Sequence, residues 1–355
     1  MDMDDVVAFI PQPYDSIRPS ARELHERLTK PSGSLGRLET IGVQLSAISG
    51  EVPPPLPRPA VIVVFAGDHG VVVEGISEWP QEVTGQMLTT MSSGGAAINA
   101  IATSVGAELV LVDVGVNGDV SHLDGVEHRK IASGTRNIRR SAAMSLKQTE
   151  DAIAVGAEAA VRKVTEGARC LITGEMGIGN TTPAISLVCA ITGADPWAAT
   201  GRRPGMSEEL LATKRLVIAD AIDRCGRPDD PVELLAEIGG LEIAALTGFC
   251  LGAARMRTPV IVDGVVALAA ALLAVELSPP ARGVLIAGHC AAQPAAAIAL
   301  EHLRLEPLLD LQIGIGEGVG AALAVPLVVA AAALMRDMAT FADGVVSDSA
   351  AVRHA

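Results

Sequence analysis

The run Ala60-Val61-Ile62-Val63-Val64-Phe65-Ala66, ending in Gly67-Asp68-His69-Gly70, decides the fold class. It is short, apolar throughout and rich in β-branched residues. That is how a strand buried on both faces reads, with a loop at its carboxyl end. The pattern recurs. Leu109 to Val112 runs into Asp113-Val114-Gly115, Arg169 to Thr173 into Gly174, Pro259 to Val262 into Asp263-Gly264, and Val284 to Ala287 into Gly288-His289. Helical patterns separate the runs: Asp151 to Glu166, Ser207 to Asp223 and Val232 to Ala254. Alternating strand and helix implies an α/β fold with a doubly wound, mostly parallel sheet. In such sheets ligands bind beyond the carboxyl ends of the strands, so the glycine-rich loops converge on one rim.

Outward from this sheet the chain looks helical. Ser20 is a candidate cap for a helix through Leu28, and Leu35 to Ile48 carries helical spacing. Pro53-Pro54-Pro55-Leu56-Pro57 is a stiff connector. Val265 to Val275 is too short to span a bilayer. Val319 to Met335 is borderline, Ala-rich and holds Pro326; both are expected to be buried helices.

Composition narrows the function. The chain has 355 residues, more than one core usually serves, so a large and a smaller domain are expected. It is 49% hydrophobic but only 2% aromatic, so Ala, Val, Leu and Ile must build the core. A net charge of −14, with Arg136, Arg139 and Arg140 and the pair Arg202 and Arg203 as the only basic clusters, argues against nucleic-acid binding. Cys170, Cys189, Cys225, Cys250 and Cys290 are odd in number and widely spaced, which fits reduced thiols better than disulfides or a zinc site. The acidic start, Met1 to Asp5, is unlike a secretory signal, so a cytoplasmic protein is expected.

Two loops carry chemistry. Gly174-Glu175-Met176-Gly177-Ile178-Gly179-Asn180-Thr181-Thr182-Pro183 follows a strand and feeds a helix, with Thr181 or Thr182 as candidate cap. Its free N–H groups suit an anion. It matches neither the P-loop nor the dinucleotide fingerprint, which also argues against a nicotinamide-cofactor dehydrogenase. An ordinary strand–helix turn would look much the same. In Gly314-Ile315-Gly316-Glu317-Gly318-Val319-Gly320 a single carboxylate sits among four glycines. Desolvated there, it would have a raised pKa suited to a general base; a solvated loop Glu is the commoner fate. No nucleophile accompanies Asp68-His69 at a recognisable spacing, so His69 is read as orienting its loop, and His289 likewise.

These residues bring a family into view. Lys30 to Glu39, Phe65 to Gly70, Gly75-Ile76-Ser77, Pro80 to Thr84, Gln86-Met87, Gly94 to Asn99, Gly174 to Thr182, Glu237 to Ala244, Val262 to Gly264, Gly316 to Gly318 and Met338 to Phe341 run almost end to end. Together they resemble the nicotinate-nucleotide:dimethylbenzimidazole phosphoribosyltransferases of cobalamin lower-ligand assembly. The resemblance implies a large Rossmann-like domain over 56–324, a small helical domain from 1–55 and 325–355, a homodimer, and no metal or cofactor. It implies that phosphoribosyl passes from nicotinate mononucleotide to an aromatic nitrogen base, 5,6-dimethylbenzimidazole, with inversion to the α-riboside.

Residue by residue, Glu317 falls on the catalytic base of that family and Glu175 on a second acid near the substrates. Gly177, Ile178, Gly179, Asn180 and Thr181 fall on the nucleotide-phosphate loop, with Lys214 supporting the phosphate and Gly201, Arg202 and Gly316 beside it. Ser77, Gln86, Met176, Ala291 and Ile315 fall near the aromatic base. The chain departs from the family pattern at Gly201-Arg202-Arg203-Pro204-Gly205, where G-x-G-T-G is usual. It departs again at Gly314, where an arginine is usual. His289 to Ala296 lacks the serine, the acid and the second histidine of H-x-S-x-E-P-x-H. Arg202 or Arg203 would instead bring positive charge to the phosphate. Two alternatives follow from these departures. One is the same chemistry on another benzimidazole, a purine or a phenol; the other is a nucleotide-binding paralogue without turnover.

Overall fold

β1, Ala60–Gly67, is buried along its whole length and sits inside the sheet. The computed structural model describes residues 3–202 and 205–343. With β2 (Glu108–Gly115), β3 (Val126–His128), β4 (Cys170–Met176), β5 (Val260–Val262) and β6 (Leu285–Ala287), it forms one parallel sheet of order β3-β2-β1-β4-β5-β6. This is the doubly wound order, whose reversal lies between β1 and β4.

Period-two geometry sends alternate β1 side chains to opposite faces. Val61, Val63 and Phe65 join the core under the helices Leu146–Thr165, Thr181–Thr192, Leu241–Arg255 and Val265–Leu277. Ile62, Val64 and Ala66 join a second core under Ala97–Val105 and the pair Val319–Leu323 and Val325–Asp337. Covering both faces with aliphatic helices is what the scarcity of aromatics requires; Phe65 and Phe249 make the edge-on ring contact in the first core. The helices Leu146–Thr165 and Leu241–Arg255 approach until backbones touch. A side chain at Gly156 would run into the Ala245 carbonyl, and one at Gly248 into that of Ile153.

The two ends of the chain meet. Leu28 bridges Thr340, and the Phe341 N–H donates to the Arg27 carbonyl at 2.9 Å. Ala21, Val43 and Met335 pack together between the helices Arg18–Arg27, Arg37–Ser49 and Val325–Asp337. Val319–Asp337 is the one stretch among the described residues long and apolar enough to cross a membrane. It is broken at Ala324; its first part lies against β4 and β5, and its second part packs on the helix Arg37–Ser49, with Ala321, Ala322, Val328 and Ala331 buried in the second core. Cys170, Cys189 and Cys250 are buried free thiols, each pushed up to about 12 by that burial.

Several boundaries differ from the sequence reading. The first long helix begins at Arg18, with Ile17 at its cap and Pro19 in its first turn, so Ser20 lies inside it. Proline's fixed φ suits that first turn. Val232 to Ala254 is two helices, Pro231–Ile238 and Leu241–Arg255, because Gly239 and Gly240 leave helical angles. β3 has only three residues and little pattern to read. β4 runs on through Gly174 and Glu175 to Met176, so Glu175 is a strand residue paired with Phe65.

Candidate active site

A cavity of about 660 Å³ opens at the carboxyl edge of the sheet, beside the reversal point between β1 and β4. Its wall includes Glu175, Met176, Gly177, Ile178, Gly179, Asn180 and Thr181, brought there because β4 ends at Met176 and the next helix starts at Thr181. Gly179, at φ +88°, turns the chain so tightly that a side chain there would press on Val72 and Ile76. Asn180 holds the cap position but makes no side-chain cap bond, and neither threonine caps the helix. Asn180 Nδ2 instead donates to Glu175 Oε2, and Thr181 Oγ1 accepts from Lys214 Nζ at 2.6 Å. Threonine and asparagine are thus turned from capping to the cavity and its supports. Lys214 itself stands behind Thr181, outside the wall and 3% exposed.

Glu175 is a buried acid facing the cavity. Burial pushes its carboxyl up to about 8; Asp263, Glu242 and Glu317 nearby add to the rise, and the Asn180 amide opposes it. Such a group holds its proton at neutral pH. Gly316 lies directly against it, leaving no room for a β-carbon.

Glu317 follows at φ +63°, a backbone conformation unusual for a residue with a side chain. It is 3% exposed, so the solvated alternative does not apply. Burial raises its pKa above the usual carboxylate range, the Ile98 N–H at the start of Ala97–Val105 pulls it back, and Asp263 raises it again. Its Oε2 is buried without a hydrogen-bond partner among the described residues. The carboxyl is outside the cavity wall, at the Ile98 N–H.

Asp263, at the end of β5, organises this corner. Its Oδ2 accepts the Gly318 N–H at 3.2 Å and its Oδ1 the Ala321 N–H at 2.9 Å. His289 Nε2 lies 3.2 Å from the same Oδ1, and His289 lines the cavity. Sequence reasoning assigns Asp263 no role and His289 only that of orienting its loop. An Asp-Gly and a Gly-His directly after strand runs are the signal for both.

The remaining expected residues divide. Ser77, Met176, Ala291, Ile315, Gly316 and Arg202 line the cavity. Arg202 also pairs with Glu208 at 2.6 Å and donates to the Met206 carbonyl at 3.0 Å. Gly201 is outside the wall, against Pro294. Gln86 is exposed on the helix Val83–Ser92 and does not line the cavity, because that helix turns the residue to solvent. Arg203 lies outside the described residues. Sequence reasoning missed Trp79, Val265 and Val266, which also line the cavity. Trp79 stands at the mouth, 59% exposed.

A family model described as phosphoribosyltransferase matches residues 10–346. The chain belongs to that family. It is 44% identical over 338 residues to a nicotinate-nucleotide–dimethylbenzimidazole phosphoribosyltransferase of Salinispora tropica, covering 91% of this chain and 93% of that protein. A protein of the same name from Desulforudis audaxviator is 46% identical, covering 93% and 94%. A crystal structure of CobT from Thermus thermophilus superposes with a TM-score of 0.91 at 43% identity, covering 94% of this chain and all of that one. The family's fold is therefore this chain's fold, a phosphoribosyltransferase on a parallel six-stranded sheet.

Proposed function

We propose that this phosphoribosyltransferase moves the phosphoribosyl group of nicotinate mononucleotide onto 5,6-dimethylbenzimidazole, giving α-ribazole 5′-phosphate and nicotinate in cobalamin nucleotide-loop biosynthesis. The observation that carries the reading is the pairing of an anion-binding loop with a buried acid, Glu175, in the wall of one cavity. The names of the relatives supply the substrates.

The loop Gly177 to Thr181 receives the phosphate on backbone N–H groups at a helix start, with Lys214 and Arg202 adding positive charge. The acidic corner of Glu175, Asp263 and Glu317 suits the cationic pyridinium–ribose carbon. One ring nitrogen of the acceptor attacks C1′ from the face opposite nicotinate, forming the new C–N bond. The C1′–pyridinium bond breaks, its electron pair goes to the nicotinate nitrogen, and the configuration inverts. The acceptor's other N–H loses its proton to Glu317, whose buried Oε2 has no hydrogen-bond partner among the described residues. Glu175 stands beside the reacting atoms with its own proton, and Ser77, Met176, Ala291 and Ile315 pack the aromatic base.

A second assignment of the base is favoured by one observation. Glu175, and not Glu317, forms the cavity wall. Its carboxyl, pushed up to about 8, also meets the requirement of a base near neutrality.

The homodimer and the cytoplasmic location belong to the same proposal, as does a small helical domain from 1–55 and 325–355. The family resemblance supports all three, and light scattering in solution checks the first. The function itself is tested by incubating the protein with nicotinate mononucleotide and an equimolar mixture of benzimidazoles, purines and phenols, with products read by mass spectrometry. A dominant dimethylbenzimidazole riboside phosphate is expected. Another riboside would move the acceptor, and binding without product would make the chain a silent paralogue.

A further inference from the structure

The dipeptide Asp68-His69 lies outside the cavity wall, yet it reaches the loop that forms part of that wall at two consecutive residues. The Ile178 N–H donates to Thr84 Oγ1 at 3.0 Å, and Thr84 Oγ1 donates in turn to Asp68 Oδ1 at 2.7 Å. One residue earlier, Gly177 rests against the His69 ring, whose Nε2 is 3.3 Å from where a β-carbon of Gly177 would stand. That Nε2 is 2.7 Å from Glu242 Oε1, and both side chains are wholly buried. The other oxygen of Asp68 accepts the Asn117 N–H at 2.7 Å, so Asp68 is itself fixed.

Three glycines make the niche. A side chain at Gly67 would press on Glu242 Oε2 at 3.0 Å, and one at Gly240 would strike the His69 ring. Gly177 closes the third side. The niche thus accepts an imidazole and a carboxylate only because three separate segments give up their side chains there. A buried polar pair costs desolvation that apolar residues of equal volume would avoid, and its use is to impose one arrangement.

We infer that Asp68 and His69 are positioning residues, which set the register of the Gly177–Asn180 loop against β4, Asp68 through Thr84 and His69 through its ring against Gly177, held there by Glu242. The inference rests on reading that loop as the seat of the nucleotide phosphate. Neither residue touches substrate; both act through the loop. The consequence reaches Glu175, which lies two residues before Gly177 and bonds Asn180. The charged groups facing Glu175 are Asp263, Glu242 and Glu317; those facing Asp68 are His69 and Glu242.

The test measures nicotinate mononucleotide binding by calorimetry, with steady-state kinetics and thermal unfolding, for the wild type and five variants. Thr84→Val and His69→Ala are expected to weaken nucleotide binding about tenfold or more, as small misplacements of a binding group do, with KM for the aromatic base near the wild-type value. Thr84→Ser and His69→Gln, which keep a donor in place, are expected to restore most of it. Glu242→Gln keeps an acceptor for His69 but removes one charge facing Glu175. It should leave binding nearly intact, because the His69 ring stays held against Gly177. If His69→Ala fails to fold, the comparison of Thr84→Val with Thr84→Ser decides the matter alone. Wild-type binding in Thr84→Val, or a Thr84→Ser variant as weak as Thr84→Val, overturns the inference. A wild-type protein that binds no nicotinate mononucleotide overturns the functional reading, and this one with it.

Discussion

Asp263 holds the residue that follows Glu317: its Oδ2 accepts the Gly318 N–H at 3.2 Å, while its Oδ1 takes the Ala321 N–H at 2.9 Å. A carboxylate from β5 therefore pins the turn in which Glu317 sits at φ +63°. Left-handed backbone at a residue with a side chain persists only where its surroundings enforce it. Asp263→Asn replaces one acceptor oxygen by a donor facing a donor. It is expected to lower stability by about 1–3 kcal/mol and to lower kcat well beyond any change in nucleotide binding. Chemical denaturation and calorimetry on one preparation separate the two effects.

Glu317→Gln and Glu175→Gln divide the acid–base work. With Glu317 as base, Glu317→Gln loses roughly 10²- to 10⁴-fold in kcat and still binds nicotinate mononucleotide. Glu175→Gln, which keeps a hydrogen-bond donor where Glu175 holds a proton, loses much less. The reverse order of losses assigns the base to Glu175.

The raised carboxyl of Glu175 makes stability depend on pH with a definite sign. Its folded value of about 8 exceeds the ordinary glutamate value of 4.5, so the folded state holds an extra proton between the two. Stability from this group is full below 4.5 and is lost as pH rises through about 8. Glu175→Gln carries no such proton. Its stability to denaturant should exceed that of the wild type at pH 8.5–9, by a difference on the order of a few kcal/mol, and the gap should close toward pH 5. A constant offset across that range would contradict the burial of Glu175.

Arg202 lines the cavity while paired with the exposed Glu208. Exposed pairs contribute little, so the guanidinium is free to exchange Glu208 for a phosphate. Arg202→Ala should raise KM for nicotinate mononucleotide several-fold, with the difference shrinking as salt is added. Equal KM values at low salt would place the phosphate elsewhere.

Much of this was legible in the sequence, and the reasons are physical. β1 is buried on both faces, so its β-branched run needs no alternation and stands out. Glu317 stands out too, because four glycines leave it alone. β3 was invisible, since three residues carry no pattern. The end of β4 was misread because glycine at 174 looks like a loop, whereas Glu317 backbone packs on it and requires that glycine within the strand. Trp79, Val265 and Val266 reach the cavity from distant segments, and no local spacing encodes such a meeting. Gln86 shows the converse: a resemblance carried it to the site, and its helix turns it to solvent.

The seam between Leu146–Thr165 and Leu241–Arg255 predicts a variant that touches no substrate. Gly248→Val drives a branched side chain into the Ile153 carbonyl. Overpacking of that kind costs typically about 1–3 kcal/mol, more where backbone must move. The variant should melt well below the wild type, and whatever folded fraction remains should keep a normal KM for both substrates.

The chain contains two tryptophans, and Trp79 stands at the cavity mouth while Trp197 lies on the separate helix Pro196–Ala199, outside the cavity lining. The indole ring is half in water and half against the cavity it lines. The molecule therefore carries its own optical reporter. Replacing Trp197 by Phe would leave a single emitter, whose colour and intensity follow the filling of the cavity without any label.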